Sequence, residues 1–268
     1  MDHLLKPVDL YYEESGQGTP ILLVHGFPLN HTIWQPIVPR LGKCSRVITP
    51  DLRGFGKSPA PGGTYSMRLL AEDLLHLLDR LEIEKAVVVG HSMGGYVALA
   101  FAKAYPQRLS GLGLVASQAE ADAPERRQSR LNIADDVERK GVRVVADGMP
   151  VKLTANPELA AQLHELIHAT ASQQGVAGCM RGMAERPDAT EWLGQIAAPS
   201  VVIAGTSDGI IPVAKGQVMA TLLGRSWLVK IEGVGHMPMM EAPDRVAEAL
   251  IQLVKSSVGY EEQCGCND

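Results

Sequence analysis

The run Ala86-Val87-Val88-Val89 passes directly into Gly90-His91-Ser92-Met93-Gly94-Gly95, and no other stretch restricts the fold of this chain so sharply. The β-branched run reads as a strand and Tyr96 to Ala104 as a helix, which leaves Gly-x-Ser-x-Gly to make a tight turn between them. In such a turn the serine occupies the apex in a strained backbone conformation, and the flanking glycines let strand and helix approach closely. The Ser92 hydroxyl then points out of the top of the sheet. The Met93 N–H lies at a helix N-terminus, where it can stabilise an oxyanion. The bland alternative is a Gly-rich connection with an incidental serine.

A serine nucleophile needs a base, and the base needs an orienting acid. His236 lies in Gly233-Val234-Gly235-His236-Met237-Pro238, after the strand-like Ser226–Ile231. Asp208 lies in Gly205-Thr206-Ser207-Asp208-Gly209, after the strand-like Pro199–Ala204. Both therefore sit on loops expected at the same sheet edge as Ser92. The chain order Ser, Asp, His is the one a triad takes on this architecture. Taken singly, Asp208 also fits a turn former beside Gly209, and His236 a surface loop histidine.

Four segments together resemble the α/β-hydrolase superfamily, over about Val8 to Lys255. Leu22-Leu23-Val24-His25-Gly26-Phe27-Pro28 is similar to its His-Gly oxyanion loop, and Asp51-Leu52-Arg53-Gly54-Phe55-Gly56-Lys57-Ser58 to its Asp-x-Arg-Gly-x-Gly-x-Ser loop. Gly90 to Gly95 resembles the nucleophile elbow, and Gly235-His236 with Glu241 and Pro243 resembles the histidine loop. The resemblance implies an α/β fold: a mostly parallel sheet, helices on both faces, and a helical cap inserted after the sixth strand of the family. It also implies an oxyanion hole built from the backbone N–H groups of Phe27 and Met93.

Strand-like stretches fall near Val8–Glu13, Pro20–Val24, Arg46–Pro50, Ala86–Val89, Gly111–Val115, Ser200–Ala204 and Ser226–Ile231. Helical patterns alternate with them, among them Met67–Leu81, Gly94–Ala104 and Arg245–Lys255, as a parallel sheet requires. From about Gln118 to Trp192 the alternation stops and the sequence is helical in character. The expected organisation is thus a core of residues 1–117 and 193–258, a cap of residues 118–192, and a disordered tail of residues 259–268.

With 268 residues, 46% hydrophobic composition and a formal net charge of −5, the chain can bury one large core. Mild acidity argues against nucleic acid or an anionic membrane as partner. No signal-peptide pattern and no bilayer-length apolar run is present, so the expected setting is the cytoplasm. Cys44, Cys179, Cys264 and Cys266 show no disulfide-framework spacing, and the last two read as unremarkable thiols of the polar tail. Asn30-His31-Thr32 matches a glycosylation acceptor by chance in that setting. Oligomeric state is not readable.

Two motifs point elsewhere. His164-Glu165-Leu166-Ile167-His168 matches H-E-x-x-H, which on a helix can bind zinc. A zinc protease also needs a third ligand, and Glu185 and Glu191 lack the spacing, so the motif reads as an amphipathic cap helix with Leu163, Leu166 and Ile167 packed inward. Gly56-Lys57-Ser58 ends like a P-loop, but Asp51 stands where the upstream glycine must be, and an ATPase reading fails. A non-catalytic binding protein on this fold usually lacks a triad residue, and none is missing here.

The expected chemistry is acyl transfer. His236 takes the proton of Ser92 as its oxygen attacks a carbonyl, Asp208 holds the imidazole tautomer, and water releases the acid. That sequence of steps needs no metal and no organic cofactor. Aspartate-nucleophile dehalogenases and epoxide hydrolases are excluded by Ser92, while Met237, in place of the aromatic residue usual after the histidine in the C–C hydrolases, weakens that reading without excluding it. Carboxylesterases of short to medium acyl chain, enol-lactonases and cofactor-free perhydrolases remain, each with a small-molecule ester or lactone as partner. Phe27, Trp34, Met93 and Met237, with some of Met180, Met183 and Trp192, are the candidates to line an apolar pocket. The acids competing with Asp208 are Glu120 and Asp122.

Overall fold

Alternation along each strand sends successive side chains to opposite faces, and the sheet has two cores as a result. The structure, a computed structural model, describes residues 6–258. Its strands are β1 (Tyr12–Ser15), β2 (Thr19–Val24), β3 (Ser45–Pro50), β4 (Ala86–His91), β5 (Leu109–Val115), β6 (Ser200–Gly205) and β7 (Ser226–Ile231). They form one sheet in the order β1-β3-β2-β4-β5-β6-β7, with β1 antiparallel to β3 and every other pairing parallel.

The helices are α1 (Val38–Leu41), α2 (Met67–Arg80), α3 (Met93–Ala104), α4 (Pro124–Lys140), α5 (Arg143–Ala146), α6 (Pro150–Leu153), α7 (Pro157–Thr170), α8 (Gln173–Ala184), α9 (Val213–Leu222), α10 (Pro238–Glu241) and α11 (Pro243–Ser257). Leu22, Val24, Ile48, Val88, Leu112 and Leu114 pack with Leu74 of α2 and Val97 of α3 on one face. Ile21, Leu23, Val47, Val87, Val89 and Ile203 pack with Leu41 of α1 and Leu250 of α11 on the other. Both faces are buried, which is why the central strands read as continuous apolar runs.

The first strand begins four residues later than expected, at Tyr12 instead of Val8. The Val8 N–H donates to Asp73 Oδ1 (2.9 Å), so side-chain capture by α2 replaces sheet pairing there. Helices α4 to α8 occupy the chain between β5 and β6, the segment in which the sequence lost its alternation. This insertion reaches back to the loop after β3: Thr170 accepts from the Gly56 N–H (2.8 Å), and the Tyr65 N–H donates to Gly178 (3.0 Å). Gly54 and Gly175 approach so closely that a Cβ on Gly175 would lie 2.2 Å from the Gly54 carbonyl oxygen. The expected disordered tail, with Cys264 and Cys266, lies outside the described residues.

From β2 the chain crosses to β3 on one side, and from β3 it returns past β2 to β4 on the other. The crevice between the carboxyl ends of β2 and β4 is therefore the switch point of the sheet, where open α/β sheets bind ligands.

Candidate active site

Ser92 follows β4 at this switch point with φ 51° and ψ −113°, in the left-handed half of the map that a non-glycine residue rarely occupies. Its neighbours hold it there. The Ser92 N–H donates to Val115 (2.9 Å) and its carbonyl accepts from Ser117 Oγ (2.9 Å). A Cβ on Gly90 would lie 2.0 Å from the Gly94 carbonyl oxygen, and one on Gly94 would lie 2.4 Å from that of Val24. Both glycines are thus steric requirements of the turn.

The Ser92 hydroxyl lies 2.9 Å from His236 Nε2, and His236 Nδ1 lies 2.7 Å from Asp208 Oδ2. The other carboxylate oxygen of Asp208 accepts the N–H groups of Ile210 (2.8 Å) and Ile211 (2.9 Å), which fixes the carboxylate plane. A carboxylate only accepts, so His236 carries its proton on Nδ1 and leaves Nε2 as the acceptor for Ser92. His236 and Asp208 are buried, whereas Ser92 is half-buried and reachable.

Glu241 straps the histidine loop on both sides, accepting from the N–H of Gly235 (3.0 Å) and of Met237 (3.1 Å). The His236 N–H itself donates to Leu153 of the insertion (3.1 Å). The sequence marks Glu241 only as part of the segment that resembles the histidine loop, without this role. Leu153 acts through a backbone carbonyl, which leaves no side-chain signal.

The Phe27 and Met93 backbones flank the switch point, one after β2 and one at the start of α3. Among the described residues neither N–H donates to a protein acceptor, although both residues are buried. Buried donors without partners are uncommon.

Three further histidines are buried, two in the chain after β2 and one at the end of β4. His25 donates from Nδ1 to Gly26 (2.9 Å) and accepts the Leu52 N–H at Nε2 (2.9 Å), tying the loop after β2 to the loop after β3. Burial pushes its pKa down to about 4, so it is neutral. His91 donates from Nε2 to the His236 carbonyl (2.8 Å), and burial holds it well below the ordinary histidine range. His31 lies against Asp51, with Nδ1 2.6 Å from Oδ1.

Asp51 also explains the P-loop near-miss. Its carboxylate accepts the Lys57 N–H (2.9 Å), and a Cβ on Gly56 would lie 2.0 Å from Oδ2. The Asp51 side chain fills the hollow of this loop, where a nucleotide-binding loop holds phosphate. Asn30 is likewise accounted for: it is buried, and its Oδ1 accepts the Thr32 N–H (3.0 Å) as a helix cap.

The competing acids are engaged elsewhere. Glu120 pairs with Lys215 (2.9 Å), and Asp122 is buried between Arg130 and Arg186, the latter at 3.0 Å. Of the pocket candidates, Phe27 and Met93 share the cluster that includes Met180 and Met183. Trp34 and Met237 are fully buried in the opposite cluster, and Trp34 sets its ring edge-to-face against His91. Trp192 lines a cavity of about 530 Å³ with Tyr96, Leu99, Lys103 and Arg186, to which none of Ser92, His236 and Asp208 contributes. A smaller cavity of about 300 Å³ adjoins the histidine loop, between Leu153, Thr154, Ile210 and His236.

A mostly parallel sheet that carries a hydrogen-bonded serine, histidine and aspartate at its strand ends has the architecture of a hydrolase fold. Residues 21–249 match the alpha/beta hydrolase family, and the chain belongs to that family. Among solved structures it resembles a thermophilic esterase from Thermogutta terrifontis (malate bound), 40% identical with a TM-score of 0.89, covering 92% of this chain and 93% of that one. It is 29% identical to 3-oxoadipate enol-lactonase 2 of Acinetobacter baylyi, over 92% of this chain and 94% of the relative. It is also 29% identical to pimeloyl-(acyl-carrier protein) methyl ester esterase of Aeromonas hydrophila, over 90% and 98% of the two chains.

Proposed function

We propose that the protein is a serine hydrolase that cleaves carboxylic esters of short to medium acyl chain through an acyl-enzyme. The observation that carries this reading is the continuous relay Ser92–His236–Asp208, with its 2.9 Å and 2.7 Å links. Ser92 Oγ attacks the carbonyl carbon while His236 Nε2 takes its proton. The N–H groups of Phe27 and Met93 receive the oxyanion. The imidazolium gives its proton to the leaving alkoxide, and a water molecule activated by the same nitrogen then frees the acid. Asp208 stabilises the imidazolium throughout, and Ile210 and Ile211 hold it in place.

Residues 118–192 serve in this reading as a cap, and 1–117 with 193–258 as the core. The Leu153–His236 hydrogen bond supports it, because it couples the insertion to the general base. A cap limits the length of acyl chain that fits. Each methylene accommodated in an apolar pocket contributes about 0.8 kcal/mol, so activity rises with chain length until the wall is met. No described helix is long and apolar enough to cross a membrane, and the reading places the enzyme in the cytoplasm with a small-molecule substrate.

Lactones are the second substrate class, favoured by the similarity to an enol-lactonase over nearly the full length of both chains. Perhydrolysis would use the same serine and histidine. Measuring kcat/KM for p-nitrophenyl esters from acetate to palmitate, beside a panel of lactones, tests the proposal. A maximum at short or medium chains is expected. A maximum at palmitate, or activity on lactones alone, contradicts it.

A further inference from the structure

The H-E-x-x-H motif has a partner that its spacing could not disclose. It lies on α7, whose rotation is fixed by Leu159, Leu163 and Ile167 packed inward and by Asn156 capping the first turn. His164 and His168 are four residues apart on one face of this helix, and their ring centroids are 4.6 Å apart. Asp147, directly after α5, points a single oxygen at both rings: Oδ1 lies 3.5 Å from His164 Nε2 and 3.3 Å from His168 Nε2. The three ligand atoms lie within 4.8 Å of one another.

The His168 contact is a long hydrogen bond, beyond the ~2.8 Å of a close charge-assisted one. The two separations match the edge of a tetrahedron with metal–ligand bonds of about 2.0–2.1 Å, which is roughly 3.3–3.4 Å. Two imidazole nitrogens and one carboxylate suit zinc and its neighbours in the first transition row, and are a poor set for calcium or magnesium, which take oxygen ligands. The Glu165 carboxylate lies 3.5 Å from His164 Nδ1, on the side where a ligating histidine commonly meets a carboxylate.

We propose that Asp147, His164 and His168 form a binding site for one divalent transition-metal ion of the zinc class, with water completing its shell. The ion takes no part in ester cleavage. Glu165 is exposed, its side chain 85% accessible, and among the described residues none of the polar contacts of Asp147, His164 and His168 is with Ser92, His236 or Asp208. The role of the ion is to brace. It joins the Asp147 turn to α7, and both neighbourhoods touch the core: Leu153 accepts the His236 N–H and Thr170 accepts the Gly56 N–H. The third ligand differs from the two carboxylates weighed from sequence, Glu185 and Glu191, because Asp147 reaches the motif only through the packing of α5 against α7.

The test is a titration of the full-length, metal-free protein with Co²⁺, followed by displacement with Zn²⁺. A visible d–d band saturating at one ion per chain is expected, together with a rise in thermal midpoint when Zn²⁺ is bound. His164→Gln/His168→Gln should abolish both, with an unchanged circular dichroism spectrum and metal-free midpoint. Asp147→Asn should weaken Zn²⁺ binding by more than about tenfold. His3, Cys264 and Cys266 supply competing ligands. A strong thiolate-to-cobalt charge-transfer band, equal Zn²⁺ affinity in the double variant, or no binding by the wild-type protein would each overturn the proposal.

Discussion

His91 Nε2 donates a 2.8 Å hydrogen bond to the backbone carbonyl of His236, so the residue just before the serine holds the loop of its base. The two rings lie 5.0 Å apart, tilted by 56°. Because burial keeps His91 neutral, it donates here without placing a second positive charge beside the imidazolium that catalysis would create. Gly26 belongs to the same arrangement, since a Cβ there would lie 2.4 Å from His91 Nδ1. The order of the site thus depends on contacts between the residues next to the reacting groups.

Asp208→Asn should lower kcat by roughly 10⁴ with little loss of stability, because an amide favours the wrong imidazole tautomer. Asp122→Asn should do the reverse. It leaves the relay untouched but strips charge from a carboxylate buried between Arg130 and Arg186. Steady-state kinetics and urea unfolding of the two variants separate these effects. A severe kinetic loss in Asp122→Asn with a mild one in Asp208→Asn contradicts the assignment.

Arg53 and Asp73 form a fully buried pair, with Nε and Nη2 each 2.5 Å from a carboxylate oxygen. Asp73→Ala removes the partner and leaves the guanidinium uncompensated, so a loss of about 3–5 kcal/mol in unfolding free energy is expected. The Val8 N–H loses its acceptor in the same variant. Equilibrium denaturation measures this, and a loss below about 1 kcal/mol, the scale of an exposed pair, would contradict it.

Stability should fall in mild acid. His25 stays neutral in the folded protein down to about pH 4, whereas in the unfolded chain it titrates near 6.5. Between those values the unfolded state binds the extra proton, so stability is lost as pH drops, by on the order of 3 kcal/mol for this residue across the window. Buried His91 acts in the same direction. His31 has the opposite sign: burial lowers its pKa, but the Asp51 and Glu13 carboxylates outweigh that and raise it. Its contribution is complete below about pH 6.5 and disappears as pH rises through the raised value. Unfolding free energies between pH 7 and pH 4.5 check this, and His25→Gln should flatten the slope. A slope equal to that of the wild type would contradict the account.

The fold was legible because local signals agreed. The short apolar runs became β2 to β7, and Val246, Leu250 and Val254 on one stripe marked α11. The start of β1 was not legible, since Asp73, far along the chain, takes the Val8 N–H. In the site, Ser92, Asp208 and His236 are visible in the sequence because each is a polar side chain on a loop after a strand, and the structure joins the three by hydrogen bonds. Leu153 is not, as it contributes a carbonyl, and the supporting role of His91 was missed although it lies within the elbow motif. Size and apolarity mark Trp34 and Met237 equally for core packing and for a pocket wall, and both are fully buried. Asp147 was invisible beside H-E-x-x-H because a turn and a separate helix bring it there.

Reaction with a fluorophosphonate, followed by peptide mapping, tests the nucleophile most directly, with kcat of Ser92→Ala measured in parallel. The account predicts covalent labelling at Ser92 alone. It also predicts a fall in kcat on the order of 10⁶ in the variant, with an unchanged unfolding midpoint. Labelling at another residue, or substantial ester hydrolysis remaining in Ser92→Ala, would contradict it.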